Sequence, residues 1–371
     1  MKQPELYIGV MSGTSMDGVD TALVSIDDTK VEMIAHDEFP MPDTLKQDLL
    51  NICIGQTTSL VNIGQIDHQL GHLFGDAVLQ LLEKSNIKAS EITAIGNHGQ
   101  TVFHKPTGAL PFTMQIGDAN IIAAKTGINT VADFRRKDMA LGGQGAPLVP
   151  AFHNTIFNAH NSTVVALNIG GISNISVLRP EKKALGYDTG PGNMLMDAWG
   201  YKHTGLKFDK DAQFAMKGNV SQALLAKLLE ESYLSLAPPK STGRELFNLP
   251  WLEEKLIHFS HLTPEDVQRT LCEFTAVTIA EEVTRYQCGD YPELLVCGGG
   301  VRNPLLMARL ATLLPQWHVA STSSKGVDAD FMEAIAFAWL AQRRIHNLPS
   351  NLPEVTGASK SASLGVLYFA N

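Results

Sequence analysis

Apolar residues along the chain alternate between short runs and helical spacing. Leu6 to Met11 is a short apolar run of strand character, and Val19 to Ile26 is a second. Between them lies the small polar turn Ser12-Gly13-Thr14-Ser15-Met16-Asp17-Gly18, so the pattern predicts a hairpin. It returns in the second half as Val164 to Ile169, the turn Gly170-Gly171-Ile172-Ser173-Asn174, and Ile175 to Leu178. The repeated device predicts two related domains with a cleft between them. A third glycine element, Gly298-Gly299-Gly300-Val301-Arg302, follows the buried-strand pattern of Leu294 to Cys297. Asn303 then suits a helix cap and Pro304 its first position, ahead of an apolar face built from Leu305, Leu306, Ala308, Leu310, Leu313 and Leu314. Periodicity predicts further helices over 43–50, 66–84, 221–232, 264–286 and 332–344, and a helix-like run over 194–199, with the remainder mostly helical. Strand, helix and glycine turn alternate, which predicts an α/β fold. Residues 233–250, with Pro238-Pro239-Lys240-Ser241-Thr242-Gly243, read as the most flexible stretch.

The length of 371 residues fits two domains or one large one. A 44% hydrophobic and 18% charged composition is that of a folded chain. Lys plus Arg is 29 against 38 Asp plus Glu, a net charge of -9, which argues against a nucleic-acid binder. It leaves room for a small anionic ligand at a local site. Met1-Lys2-Gln3-Pro4-Glu5 lacks the basic start and apolar core of a signal peptide, and no apolar run reaches the ~18 residues that span a bilayer. Cys53, Cys272, Cys288 and Cys297 form no C-x-x-C pair and read as reduced thiols of a cytoplasmic protein with no membrane partner.

Several chemistries are missing. Gly-Lys never occurs, which removes the Walker A loop; H-R-D, D-F-G and G-x-S-x-G are absent. His68 and His72 have zinc-ligand spacing, but Gln69 stands where a catalytic glutamate is needed. What remains is the turn chemistry. In Ser12 to Asp20, glycine N–H groups and the hydroxyls of Ser12, Thr14 and Ser15 suit phosphate oxygens. Asp17 would repel phosphate unless Mg²⁺ lies between them. A plain Asp/Gly β-turn needs the same residues, but the turns at Gly170 and Gly298 favour a nucleotide held at several points. In Tyr187-Asp188-Thr189-Gly190-Pro191-Gly192-Asn193, Asp188 reads as a carboxylate on a stiff loop, suited to a general base. The bland reading is a helix cap, but Asn193 stands nearer that helix.

These strings resemble a known family. Gly9-Val10-Met11-Ser12-Gly13-Thr14-Ser15-Met16-Asp17-Gly18-Val19-Asp20 closely resembles the opening of the 1,6-anhydro-N-acetylmuramic acid kinases. The resemblance runs in order through Asn97-His98-Gly99-Gln100-Thr101, Asp133-Phe134-Arg135-Arg136, Asn168 to Asn174, Asp188 to Asn193 and Cys297 to Gly300. Val301 stands where the family often has alanine and Phe331 where it often has tryptophan; neither replaces a polar group.

The resemblance implies two actin-like (ribonuclease H-like) domains with ATP and Mg²⁺ in the cleft. The first domain is expected over 1–131 with about 360–371, and the second over 132–359. Residues Gly13, Thr14, Ser15, Met16, Asp17, Gly18, Val19 and Asp20, with Gly170, Gly171 and Asn174, look like the two phosphate loops. Gly298, Gly299, Gly300 and Asn303 look like the adenosine loop, and Asp17 like a water-mediated Mg²⁺ contact. Family members open the anhydro bridge of anhydro-N-acetylmuramic acid with water and phosphorylate O6 in cell-wall recycling, with Asp188 as the matching base, and a homodimer is implied. His98 suits either a sugar contact or a buried loop histidine. Arg135 or Arg136 suits the substrate carboxylate, the alternative being a surface charge. Glu333 suits an orienting role or simply the helix dipole. Two other readings stay open: a different sugar or small-acid kinase on the same scaffold, and an ATP-driven module without a sugar substrate.

Overall fold

A computed structural model of the chain describes residues 3–13, 16, 18–27, 30–53, 55–157, 159–238, 240–244 and 246–371. Contacts divide the chain into one unit of Met1–Ile156 with Phe331–Asn371 and another of Phe157–Asp330. The first unit contains β1 (Glu5–Met11), β2 (Gly18–Ile26), β3 (Val31–Pro40), β4 (Ile92–Asn97), the hairpin of β5 (Gln100–Lys105) and β6 (Phe112–Ile116), and β7 (Thr130–Ala132). The second contains β8 (Val164–Ile169), β9 (Ile172–Leu178), β10 (Leu185–Pro191), β11 (Glu293–Cys297) and β12 (His318–Ser321); β13 (Val366–Tyr368) belongs to the first.

The sheet of the first unit runs β13-β7-β4-β1-β2-β3. β1 pairs antiparallel with β2 and parallel with β4, which pairs parallel with β7. The helix Met332–Ile345 lies against β1 and β4, and only glycine permits that approach. A Cβ on Gly9 would lie 1.7 Å from the Ala334 carbonyl oxygen, and one on Gly96 2.0 Å from that of Phe337. The core of this unit also takes in the helix Leu60–Ser85, whose Leu70, Phe74 and Leu81 are fully buried with Ile8 and Leu23. β1 is therefore apolar on both faces, whereas the edge strand β3 alternates half-buried and exposed positions.

The sheet of the second unit runs β10-β9-β8-β11-β12. β8 pairs antiparallel with β9 and parallel with β11, and β9 pairs antiparallel with β10. Each sheet thus places its third, second, first, fourth and fifth strands side by side, the fold class expected from the repeated hairpin. The helix Pro264–Thr284, opened by a capping box of Thr263 and Asp266, carries the core from β10 to the helices Met194–Thr204 and Pro304–Leu313. Asn303 caps the last of these, accepting the Leu306 N–H at 3.0 Å.

Three differences from the sequence reading have physical causes. The division falls after Ile156 and before Phe331, not near 131 and 359, because Met332–Ile345 packs on β1 and β4. Strands β3, β4, β7 and β12 stand where the remainder reads as helical, since they are short or weakly apolar. Asp188 lies on β10, which reads as a loop because Gly190 and Pro191 disguise it; Gly190 sits beside a register shift at φ +147°.

Candidate active site

In the second unit the glycine-bearing segments 170–171, 190–192 and 298–300 meet at the carboxyl ends of the parallel strands β8 and β11, where open α/β sheets bind their ligands. The Gly192 N–H donates to the Gly171 carbonyl and the Asn193 N–H to that of Gly170, both at 2.8 Å. Asn193 does not cap its helix with its side chain; Nδ2 donates instead to the Ile169 carbonyl at 3.1 Å. A Cβ on Gly298 would lie 2.3 Å from Asn168 Oδ1, and one on Gly300 2.3 Å from Ile169 Cγ2. Gly298 and Gly300 are thus required by their own chain. Gly170, Gly171 and Gly299 are not: a Cβ there would meet nothing closer than 3.6, 3.7 and 3.8 Å. Their bareness leaves room for something other than protein.

Asp188 is on the same three-stranded run. It pairs with Asn174 across β9, and Asn174 pairs with Asn168 across β8, so the three share a row of the sheet. Asp188 Oδ2 accepts the Ser241 hydroxyl at 2.8 Å and the Thr242 N–H at 3.0 Å. Its backbone N–H donates to the Lys240 carbonyl at 3.2 Å, and its carbonyl accepts the Tyr233 hydroxyl at 2.8 Å. The stretch expected to be flexible is therefore what holds the carboxylate. Ser241, Thr242 and Lys240 were missed because a Pro-Pro-Lys-Ser-Thr-Gly string carries a turn signal and no partner.

In the first unit, Thr14, Ser15 and Asp17 lie outside the described residues. Met16 is in the left-handed region at φ +54°, and its side chain is in the apolar core with that of Val19, so any ligand contact there falls to the backbone. Ser12 Oγ donates to Gln100 Oε1 at 2.6 Å, and Gln100 Nε2 donates to the Gly13 carbonyl at 3.5 Å. Gln100, not singled out by the sequence reading, thereby ties the first turn to the Asn97–Thr101 string. Gly18 opens β2, and Asp20 faces Met11 and Glu38 in register.

His98 and Arg135 are brought together. Arg135 Nη2 lies 2.9 Å from His98 Nε2 and Nε donates to it at 3.2 Å, while Nη1 donates to the Gly145 carbonyl at 2.8 Å. Burial first, and the Arg135 charge second, hold His98 well below the ordinary histidine range, so it accepts these bonds as a neutral ring. Burial raises the Glu333 carboxyl and the attraction of Arg135 opposes it, which joins Glu333 to the pair. Asp138 fixes the loop beneath, accepting Asn351 Nδ2 at 2.7 Å, the Thr356 hydroxyl at 2.8 Å and the Gly145 N–H at 2.8 Å. Arg136 is exposed and paired with Asp133 at 2.5 Å. Of the two arginines, Arg135 is the one in a polar cluster.

Among the described residues no helix is long and apolar enough to cross a membrane. A family model described as anhydro-N-acetylmuramic acid kinase matches residues 5–370. An anhydro-N-acetylmuramic acid kinase of Vibrio parahaemolyticus is 70% identical over 371 residues, covering 100% of both chains. One of Vibrio cholerae is 66% identical over 369 residues with the same coverage. Component A of the (R)-2-hydroxyglutaryl-CoA dehydratase of Acidaminococcus fermentans overlays 90% of this chain and 96% of its own at 12% identity, with a TM-score of 0.45, too slight a likeness to argue from. By the full-length match and these identities, the chain belongs to the anhydro-N-acetylmuramic acid kinase family.

Proposed function

We propose that this chain opens the 1,6-anhydro ring of anhydro-N-acetylmuramic acid with water and phosphorylates O6, giving N-acetylmuramic acid 6-phosphate for cell-wall recycling. The observation that carries the reading is Asp188 Oδ2, oriented by Ser241 and Thr242 on the same three-stranded run as the Gly170 turn. Asp188 takes a proton from water as the water oxygen bonds to the anomeric carbon. The bond from that carbon to O6 breaks, O6 would bond to the γ-phosphorus of ATP, and the bond from that phosphorus to the bridging oxygen would break, with ADP leaving. The proton leaves Asp188 for solvent afterwards. ATP, when bound with Mg²⁺, supplies the phosphoryl group, and the metal neutralises its charge. The glycines left bare by their own chain, Gly170, Gly171 and Gly299, fit such a ligand; on the family resemblance, Gly13, Gly18 and Asp20 are the phosphate-loop candidates of the first turn and Asp17 the candidate for a water-mediated metal contact. Gly298 and Gly300, packed on Asn168 and Ile169, support the second loop from behind, and Asn303 caps the helix that follows them.

Arg135 and Glu333, with neutral His98 accepting from Arg135, form the proposed sugar subsite. The Arg135 guanidinium is the group for the substrate carboxylate. A cytoplasmic homodimer is part of the proposal, on the family resemblance. Product made in ¹⁸O-labelled water tests it. Label on the anomeric hydroxyl and none in the phosphate is expected; label in the phosphate, or none in the product, would overturn it.

A further inference from the structure

We propose that the buried Lys240–Glu282 ion pair is the positioning device of the Asp188 carboxylate; the inference rests on the base role given to Asp188 above. Lys240 and Glu282 side chains are 2% and 4% exposed, with Nζ 2.8 Å from Oε1. Nζ also donates to the Leu234 carbonyl at 3.0 Å and lies 5.2 Å from the centre of the Tyr233 ring. The other Glu282 oxygen faces the Tyr187 hydroxyl at 2.9 Å and Arg285 Nη1 at 3.2 Å. The Tyr187 hydroxyl is also 2.9 Å from that of Tyr286. Burial pushes the Tyr187 hydroxyl far up, so it stays a donor.

Everything in this network leads to one residue. Tyr187 immediately precedes Asp188 on β10. Tyr233, under the ammonium, donates to the Asp188 carbonyl. The Lys240 carbonyl takes the Asp188 N–H, and the next two residues donate to Oδ2. Lys240 thus anchors, through one side chain, the short segment that supplies three of the four bonds described at Asp188. A buried ion pair adds little stability over an apolar pair of similar volume, so its presence here is better explained by the geometry it specifies. Neither Lys240 nor Glu282 touches the reacting atoms in this scheme; they act through segment 240–242.

The test is the double variant Lys240→Met/Glu282→Leu, which leaves no unpaired charge in the interior and is expected to melt cooperatively. Its kcat should fall about 10²-fold, the cost of a misplacement of about 1 Å, with the KM for ATP within about twofold. The acid side of its kcat profile should move to higher pH, because the two donors that favour a charged Asp188 no longer meet it squarely. Glu282→Gln keeps the shape but leaves the Lys240 ammonium buried without its counter-charge, and should change both in the same direction with a lower melting temperature. A folded double variant with the kcat and acid limb of the parent would overturn the proposal. Asp188→Asn run alongside separates the two readings: if it too retains turnover, the base assignment has failed, and if it alone is inactive, only the positioning role has.

Discussion

At the scale of single residues, glycine divides into two kinds. At Gly298 and Gly300 an added methyl collides with β8, and at Gly298 the φ of +78° strains any side chain. At Gly171 and Gly299 there is space for it. Gly298→Ala and Gly300→Ala should therefore lose about 1–3 kcal/mol of stability to overpacking. Gly171→Ala and Gly299→Ala should keep the melting temperature and raise the KM for ATP about tenfold, a loss of about 1.4 kcal/mol of binding. Thermal melts beside ATP titrations separate the two classes. The account is contradicted if Gly171→Ala and Gly299→Ala bind ATP as the parent does. Sequence marks all these glycines alike, because the difference lies in what packs against each.

At the scale of elements, the legible features were those set by neighbouring residues. Asn303 and Pro304 announce their helix, and the structure starts it at Pro304. The strand–turn–strand pattern places β1, β2, β8 and β9. What stayed hidden depends on distant partners. β10 is a strand because β9 pairs with it, although Gly190 and Pro191 suit a loop. Segment 240–242 is held because Glu282, some forty residues away on the helix Pro264–Thr284, buries a carboxylate against Lys240. His98 and Arg135 could be named as candidates from their strings, but that Arg135 rather than Arg136 joins His98 follows from the course of the chain after β7. The string around Asp188 was readable; the support beneath it was not.

At the scale of the whole molecule, a buried histidine and a half-buried aspartate give opposed pH dependences. Burial holds His153 at about 3 against an ordinary 6.5. The stability it contributes is complete above about 6.5 and is lost as pH falls from there toward about 3. Burial first, then Asp209, raises Asp197 from 3.8 to about 7. Its contribution is complete below about 3.8 and is lost as pH rises through about 7. Each slope is at most about 1.4 kcal/mol per pH unit. Relative to the parent, His153→Gln should flatten the loss on acidification below about 6.5, and Asp197→Asn should flatten the loss on going from about pH 4 to 7. Denaturant unfolding at stepped pH reads both; difference curves independent of pH would contradict the assignment.

The most direct measurement is the turnover of Asp188→Asn with ATP and anhydro-N-acetylmuramic acid, in a preparation whose melting temperature and ATP affinity match the parent. A general base on water is worth about 10²–10⁴-fold, and a loss of that size in kcat is the predicted result. Turnover within a few-fold of the parent would contradict the account at its centre.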